Sequence, residues 1–338
     1  MRLTDELSNK MANMSVVCAF MVVFMHTGNA DVVESSGWWW TTVVRQFCKI
    51  AVPWFFLASG FFLVGHYESD PNWYRTALVK RVRTLLIPYV VWCLVRCAYF
   101  IPICARKCDL SDFLARNFWT FLGLDLLHAP FSSVMWYVRS LIFFVLLSPI
   151  LLICLRRMKG WLPLLLWGID AAFRLRPAVF GETVQGFFWF VFSLEGAAWF
   201  CLGMGLRTGI VIPRKIPFGA GVLWGAAAVL IGGCSVAYAL GVAMLSFEGF
   251  VIPFVMGALW LSVPAAAWPK CLTKATFPIY VLHPFVMTIL IGLVFRDSNS
   301  ALQMTARAVV AAIGAWGGAL FMLRFMPRTS SLIFGGRS

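Results

Sequence analysis

Long apolar runs separated by short polar connections fill the chain from end to end. The runs lie near residues 13–30, 47–64, 85–104, 134–155, 161–173, 187–206, 217–243, 248–267, 276–295 and 306–325. A helix needs about 20 such residues to cross a hydrocarbon core about 30 Å thick, so the pattern predicts an all-α, polytopic transmembrane helical bundle of about ten spans. The runs are continuous, without the period-two alternation of barrel strands, and that excludes a β-barrel. The fifth run is short, holds Pro163 and soon reaches Asp170 and Arg174, which predicts a tilted or broken helix. No connection is long enough to hold a soluble core, so residues 1–338 read as a single integral-membrane domain. The spacings Gly221/Gly225 and Gly314/Gly318 predict close helix–helix approach.

Composition agrees with the pattern. Hydrophobic residues make up 61% of the 338 positions and charged residues only 12%, with a mean hydropathy of +0.84. The net charge of +14 raises the possibility of nucleic acid, but its placement points to orientation in a membrane. Sorting the connections alternately puts Arg2, Lys10, Arg75, Lys80, Arg81, Arg83, Arg156, Arg157, Lys159, Arg207, Arg214, Lys215, Lys270, Lys274, Arg324, Arg328 and Arg337 on one side. The other side carries most of the acids, among them Asp31, Glu34, Asp109, Asp112, Asp125, Glu182 and Asp297. That is the positive-inside asymmetry; it predicts cytoplasmic termini and no nucleic-acid partner.

The ten cysteines form neither a metal signature nor a secreted disulfide framework. Cys104 and Cys108 approach the outer side, where a disulfide is the less expected state. Trp38-Trp39-Trp40 follows the first run as an interfacial aromatic belt rather than a signal-peptide cleavage site. The longest outer connection, Arg106 to Ser133, holds the amphipathic stretch Phe113–Trp119, which reads as an interfacial helix or the wall of an acceptor site.

Ionisable side chains inside apolar spans are costly and persist where a partner, a cavity or a reaction uses them. His26 ends the run Val16–His26, and imidazole is the side chain that takes up or releases a proton near neutral pH. Arg96, Arg139, Glu195 and His283 are also within or at the edge of spans. Arg96 and Glu195 read as a structural pair. Arg139 either snorkels to the headgroups or binds an anion. His283 precedes Pro284, which frees a backbone carbonyl that the imidazole is able to satisfy. No Ser-His-Asp order, zinc motif or glycine-rich phosphate loop accompanies them.

Several stretches together resemble the membrane acyltransferase-3 family. Val16–His26 resembles its opening span ending on histidine. Pro53-Trp54-Phe55-Phe56-Leu57-Ala58-Ser59-Gly60 is similar to its Pro-x-Phe-Phe-x-x-Ser-Gly signature. Lys80-Arg81-Val82-Arg83 through Pro88-Tyr89 resembles the family's basic lead-in to the third span. Trp136-Tyr137-Val138-Arg139-Ser140-Leu141 through Ser148-Pro149, and Tyr280-Val281-Leu282-His283-Pro284, resemble later motifs in the family's order.

The resemblance implies an integral-membrane O-acyltransferase. Such proteins move an acyl group, commonly acetyl, from cytoplasmic acyl-CoA to a hydroxyl of a carbohydrate or other cell-envelope molecule, here at a bacterial inner membrane. It implies His26 as general base. Lys80, Arg81, Arg83 and Arg139 become candidates to hold the CoA phosphates, with no metal; positive-inside topology accounts equally well for the first three. One departure stands out. The family has an arginine eleven positions before the histidine, where this chain has Ser15. Either another cation takes that role, with Arg139, Arg83 and Lys10 as substitutes, or the chain is a catalytically silent relative. A transporter or flippase would also explain buried charge without chemistry, although no internal repeat is visible.

Overall fold

The structure, a computed structural model, describes residues 3–27, 44–105, 133–175, 192–213, 217–239, 248–293 and 301–336. The Trp38–Trp40 belt, the Phe113–Trp119 stretch, Cys108 and the acids Asp31, Glu34, Asp109, Asp112, Asp125, Glu182 and Asp297 lie outside the described residues, as do the side chains of Arg96, Cys104 and Arg174.

All regular elements among the described residues are helical. In chain order they are α1 (Asp5–Met25), α2 (Arg45–Cys48), α3 (Ala51–Leu63), α4 (Trp73–Arg81), a π-helical turn (Val82–Leu86) and α5 (Ile87–Ala105). After a 3₁₀ turn (Ser133–Met135) come α6 (Trp136–Arg157), α7 (Leu162–Leu175), α8 (Leu194–Thr208), α9 (Ala220–Ala239) and α10 (Glu248–Ser262). The last are α11 (Lys270–Thr273), α12 (Thr276–Leu293), α13 (Ala301–Phe325) and α14 (Pro327–Ile333). Each apolar run of the sequence contains a helix. Among the described residues, 3 helices, namely α1, α6 and the Leu302–Phe325 part of α13, are long and apolar enough to cross a membrane. Parts of α3, α7, α9, α10 and α12 form shorter apolar helices. Pro163 falls in the first turn of α7, where a proline costs no helical hydrogen bond, so α7 is short but unbroken.

The described chain gathers into two compact units. The first combines Met1–Ala58 with Gly205–Phe325. Here α1 starts on Thr4, whose hydroxyl accepts from the Leu7 amide at 3.2 Å, with Asp5 and Glu6 complementing the positive end of the helix. Its middle, Ala19 and Val23, packs against Ile279 and Met287 of α12 and a stripe of alanines, Ala311, Ala312, Ala315 and Ala319, on α13. Small side chains at helical spacing let backbones approach closely, and dispersion then holds the three helices together. Gly314 belongs to the same surface: a Cβ there would meet Val286 Cγ1 at 3.0 Å. The pair Gly221/Gly225 does not follow the packing expectation, since a Cβ at either meets nothing within 4 Å among the described residues.

The second unit combines Ser59–Met204 with Met326–Ser338. Proline inside a helix orphans the carbonyl four residues back. In α6, Pro149 frees the carbonyl of Val145, and Ser148 Oγ donates to it at 2.7 Å. Gly60 of α3 lies directly against the backbone carbonyl of Phe200 in α8, where a Cβ would overlap it. This contact explains the glycine of the Ser59-Gly60 signature. Gly60→Ala should therefore destabilise the protein by about 1–3 kcal/mol, an overpacking penalty; an unchanged thermal midpoint in detergent would contradict this packing. The short α14 closes onto α5 through Trp92 Nε1, which donates to the Ile333 carbonyl at 2.9 Å, and through Phe334 stacked on Trp92. Gly335 follows with φ 68°, its would-be Cβ 2.7 Å from the Thr84 backbone, so both conformation and space call for glycine.

Candidate active site

In the first unit the chemistry gathers at the C-terminal end of α1. Met25 is its last helical residue, and His26 caps it with φ −96° and ψ 4°, its side chain exposed. The His26 amide still donates to Val23 O at 3.2 Å. Thr27 is buried and turns back, its hydroxyl donating to Phe24 O at 2.7 Å. The catalytic candidate thus stands as an exposed ring followed by an anchored residue.

Its neighbour is a second imidazole. His283 of α12 stacks on His26 with ring centroids 5.2 Å apart and planes inclined by 28°. His283 is fully buried, and its Nδ1 lies 2.7 Å from Tyr280 O. That carbonyl is the one Pro284 leaves without its helical amide. A carbonyl only accepts, so Nδ1 carries the proton and the ring's tautomer is fixed when it is neutral. The histidine before Pro284 and the serine before Pro149 solve the same backbone problem in the same way.

Arg307, in the second turn of α13, reaches the same place. It is only 2% exposed and donates from Nη1 to Thr27 O at 3.4 Å. Its helix neighbours Met304 and Ala308 are buried against Phe24. The sequence reading missed this residue because it started the last span at 306, which made Arg307 a boundary cation. Helix α13 begins earlier, at Ala301, and so carries Arg307 inside.

Ser15 lies eleven residues before His26, about 16 Å along the helix. Its hydroxyl is engaged on both sides, donating to Met11 O at 2.8 Å and accepting from Trp54 Nε1 at 3.0 Å. Trp54 packs on Trp260, with centroids 5.8 Å apart, and Lys10 Nζ lies 5.0 Å from the Trp260 ring centre. Lys10 is thus held in a cation–π contact at the start of α1. No bond joins it to Ser15 among the described contacts.

The second unit holds the other candidates. Arg139, one turn into α6, is 2% exposed. It does not snorkel to a headgroup layer: Nε, Nη1 and Nη2 are all buried with no hydrogen-bond partner among the described residues. Tyr137, two residues earlier, shares a 3.3 Å hydrogen bond between its hydroxyl and that of Ser59. Arg81, at the end of α4, is half-buried; burial draws its guanidinium below the ordinary arginine value, with Tyr137 opposing the shift. It nonetheless stays charged at neutral pH. Lys80 and Arg83 are exposed. Glu195 begins α8, but the side chain of its expected partner Arg96 lies outside the described residues.

No His, Cys, Asp and Glu cluster among the described residues has the makings of a metal site. A family model described as an acyltransferase domain, that of the acyltransferase-3 family, matches residues 14–324. The chain belongs to the acyltransferase-3 family. The match takes in α1 from residue 14 onward with His26, the Lys80–Arg83 run, Arg139, His283 and Arg307. No curated protein and no solved structure gives a significant match. Family membership makes this an acyltransferase, and its apolar helices make it an integral-membrane one. Within that family, the Ser15 position is occupied by a hydroxyl locked to tryptophan rather than by a cation, while a buried arginine meets α1 at the histidine end.

Proposed function

We propose that this acyltransferase is an O-acyltransferase that moves an acyl group, acetyl in the simplest case, from cytoplasmic acyl-CoA to a hydroxyl of a cell-envelope carbohydrate or related acceptor. The observation that carries the reading is the exposed His26 imidazole stacked on the buried, tautomer-fixed His283 within a family of acyltransferases. In this reaction His26 accepts the proton of the acceptor hydroxyl as its oxygen attacks the thioester carbonyl. The tetrahedral intermediate then collapses with cleavage of the C–S bond, and His26 returns the proton to the CoA sulfur. Positioned acid–base catalysis of this kind contributes about 10²–10⁴-fold.

Donor binding falls to the cations of the second unit. Arg139 is a buried guanidinium whose donors meet no partner among the described residues, and a phosphate of acyl-CoA is a group able to satisfy them by charge-assisted hydrogen bonds. Lys80, Arg81 and Arg83 hold the more exposed phosphates. In this reading the apolar runs cross a bacterial inner membrane about ten times as one domain, with both termini and the basic connections in the cytoplasm. No metal takes part.

Release of free CoA thiol from acetyl-CoA by purified protein, with and without envelope carbohydrate, tests the assignment. Thiol release that rises with acceptor is expected. Acceptor movement across vesicles with no thioester consumption would instead favour a transporter.

A further inference from the structure

We infer that Arg307 is a positioning residue for His26, acting through the backbone of the residue that follows the histidine. The inference rests on the reading of His26 as the base. The end of α1 leaves its last carbonyls without helical amides and carries the negative end of the helix dipole, so a cation is favoured there. Arg307 meets that requirement from another helix, donating to Thr27 O at 3.4 Å.

The rest of the arrangement turns this bond into control over His26. Thr27 is buried and tied by its hydroxyl to Phe24 O, so its carbonyl is the remaining point at which the residue after His26 is held. His283 limits the His26 ring by stacking on it. Met304 and Ala308, three residues before Arg307 and one after it, are buried with Phe24 packed against them. A guanidinium buried in a membrane span is expensive. A purely structural link between α1 and α13 needs none, since Ala311, Ala315 and Ala319 already join these helices through apolar contact. The costly side chain is placed at the one turn where α1 presents its candidate base.

The test compares Arg307→Met and Arg307→Lys with His26→Ala and wild type, measuring acetyl-CoA affinity and kcat separately. Misplacing a catalytic group by about 1 Å costs about 10²-fold, so Arg307→Met should lower kcat by about that factor while acetyl-CoA binding stays close to wild type. Arg307→Lys, which keeps charge and a donor, should recover about tenfold of the loss. Should the methionine variant fail to insert, Arg307→Gln keeps the polarity without the charge and is read in the same way. Two results overturn the inference: kcat close to wild type in Arg307→Met while His26→Ala is inactive, or binding and kcat falling together in both Arg307 variants. Full activity in His26→Ala is a different failure, since it removes the base that Arg307 is inferred to serve.

Discussion

His26→Ala loses acyl transfer by about 10²–10⁴-fold, the usual contribution of a positioned general base, while inserting and melting like wild type. The stability half follows from the position. His26 lies just past the last residue of α1, its ring is exposed, and the Val23, Phe24 and Thr27 backbone contacts do not involve its side chain; its stack on His283 is a contact the substitution removes. Exposed substitutions away from such features usually change stability by less than about 0.5 kcal/mol. Acceptor-dependent thiol release by the variant, followed beside its thermal midpoint, checks both halves. A variant that transfers at the wild-type rate contradicts the assignment, and His283→Phe then becomes the more informative substitution at the pair.

Arg139→Leu has the opposite balance. A buried guanidinium whose donors find no partner among the described residues is a burden on the fold, because each unsatisfied polar group costs about 1–3 kcal/mol. Replacing a buried charge by an apolar side chain is often neutral or stabilising. The melting temperature of the unliganded variant should therefore hold or rise. Its affinity for acetyl-CoA should fall by about 10–100-fold, the worth of a charge-assisted hydrogen bond of about 1.5–3 kcal/mol. Thermal midpoints with and without acetyl-CoA read both effects in one experiment. An arginine with a structural role behaves in reverse, with a lower midpoint and an unchanged ligand shift.

Much of the fold was legible because membrane spans announce themselves by length and apolarity. Each apolar run of the sequence holds a helix, and the proline at residue 284 pointed correctly to a carbonyl that His283 satisfies. Gly314 was readable as a close-packing position, whereas Gly221 and Gly225, with the same spacing, face open space. The spacing rule records that a backbone is able to approach and says nothing of whether a partner does.

The candidate site was less legible, for two physical reasons. Apolar periodicity does not locate helix ends to within a turn, and Arg307 was lost at such an end: a start at residue 306 leaves it interfacial, whereas a start at Ala301 buries it. Depth also decides what a long cation does. Arg139 sits near a helix start, where snorkelling is the ordinary expectation, yet the fold buries it almost completely. Stacking of His26 on His283, 257 positions later in the sequence (283 − 26), is a tertiary fact without a local signal. The family motifs named both histidines, and the packing of α1 on α12 brings them together.

Binding of acetyl-CoA against free CoA to the purified protein, wild type and His26→Ala side by side, tests the central claim most directly. Saturable binding of acetyl-CoA with slow hydrolysis, lost in the variant while binding persists, is the result expected of a thioester enzyme with His26 as its base. Failure of the wild-type protein to bind either molecule contradicts the account and leaves a chain of the acyltransferase-3 family that no longer performs the family's chemistry.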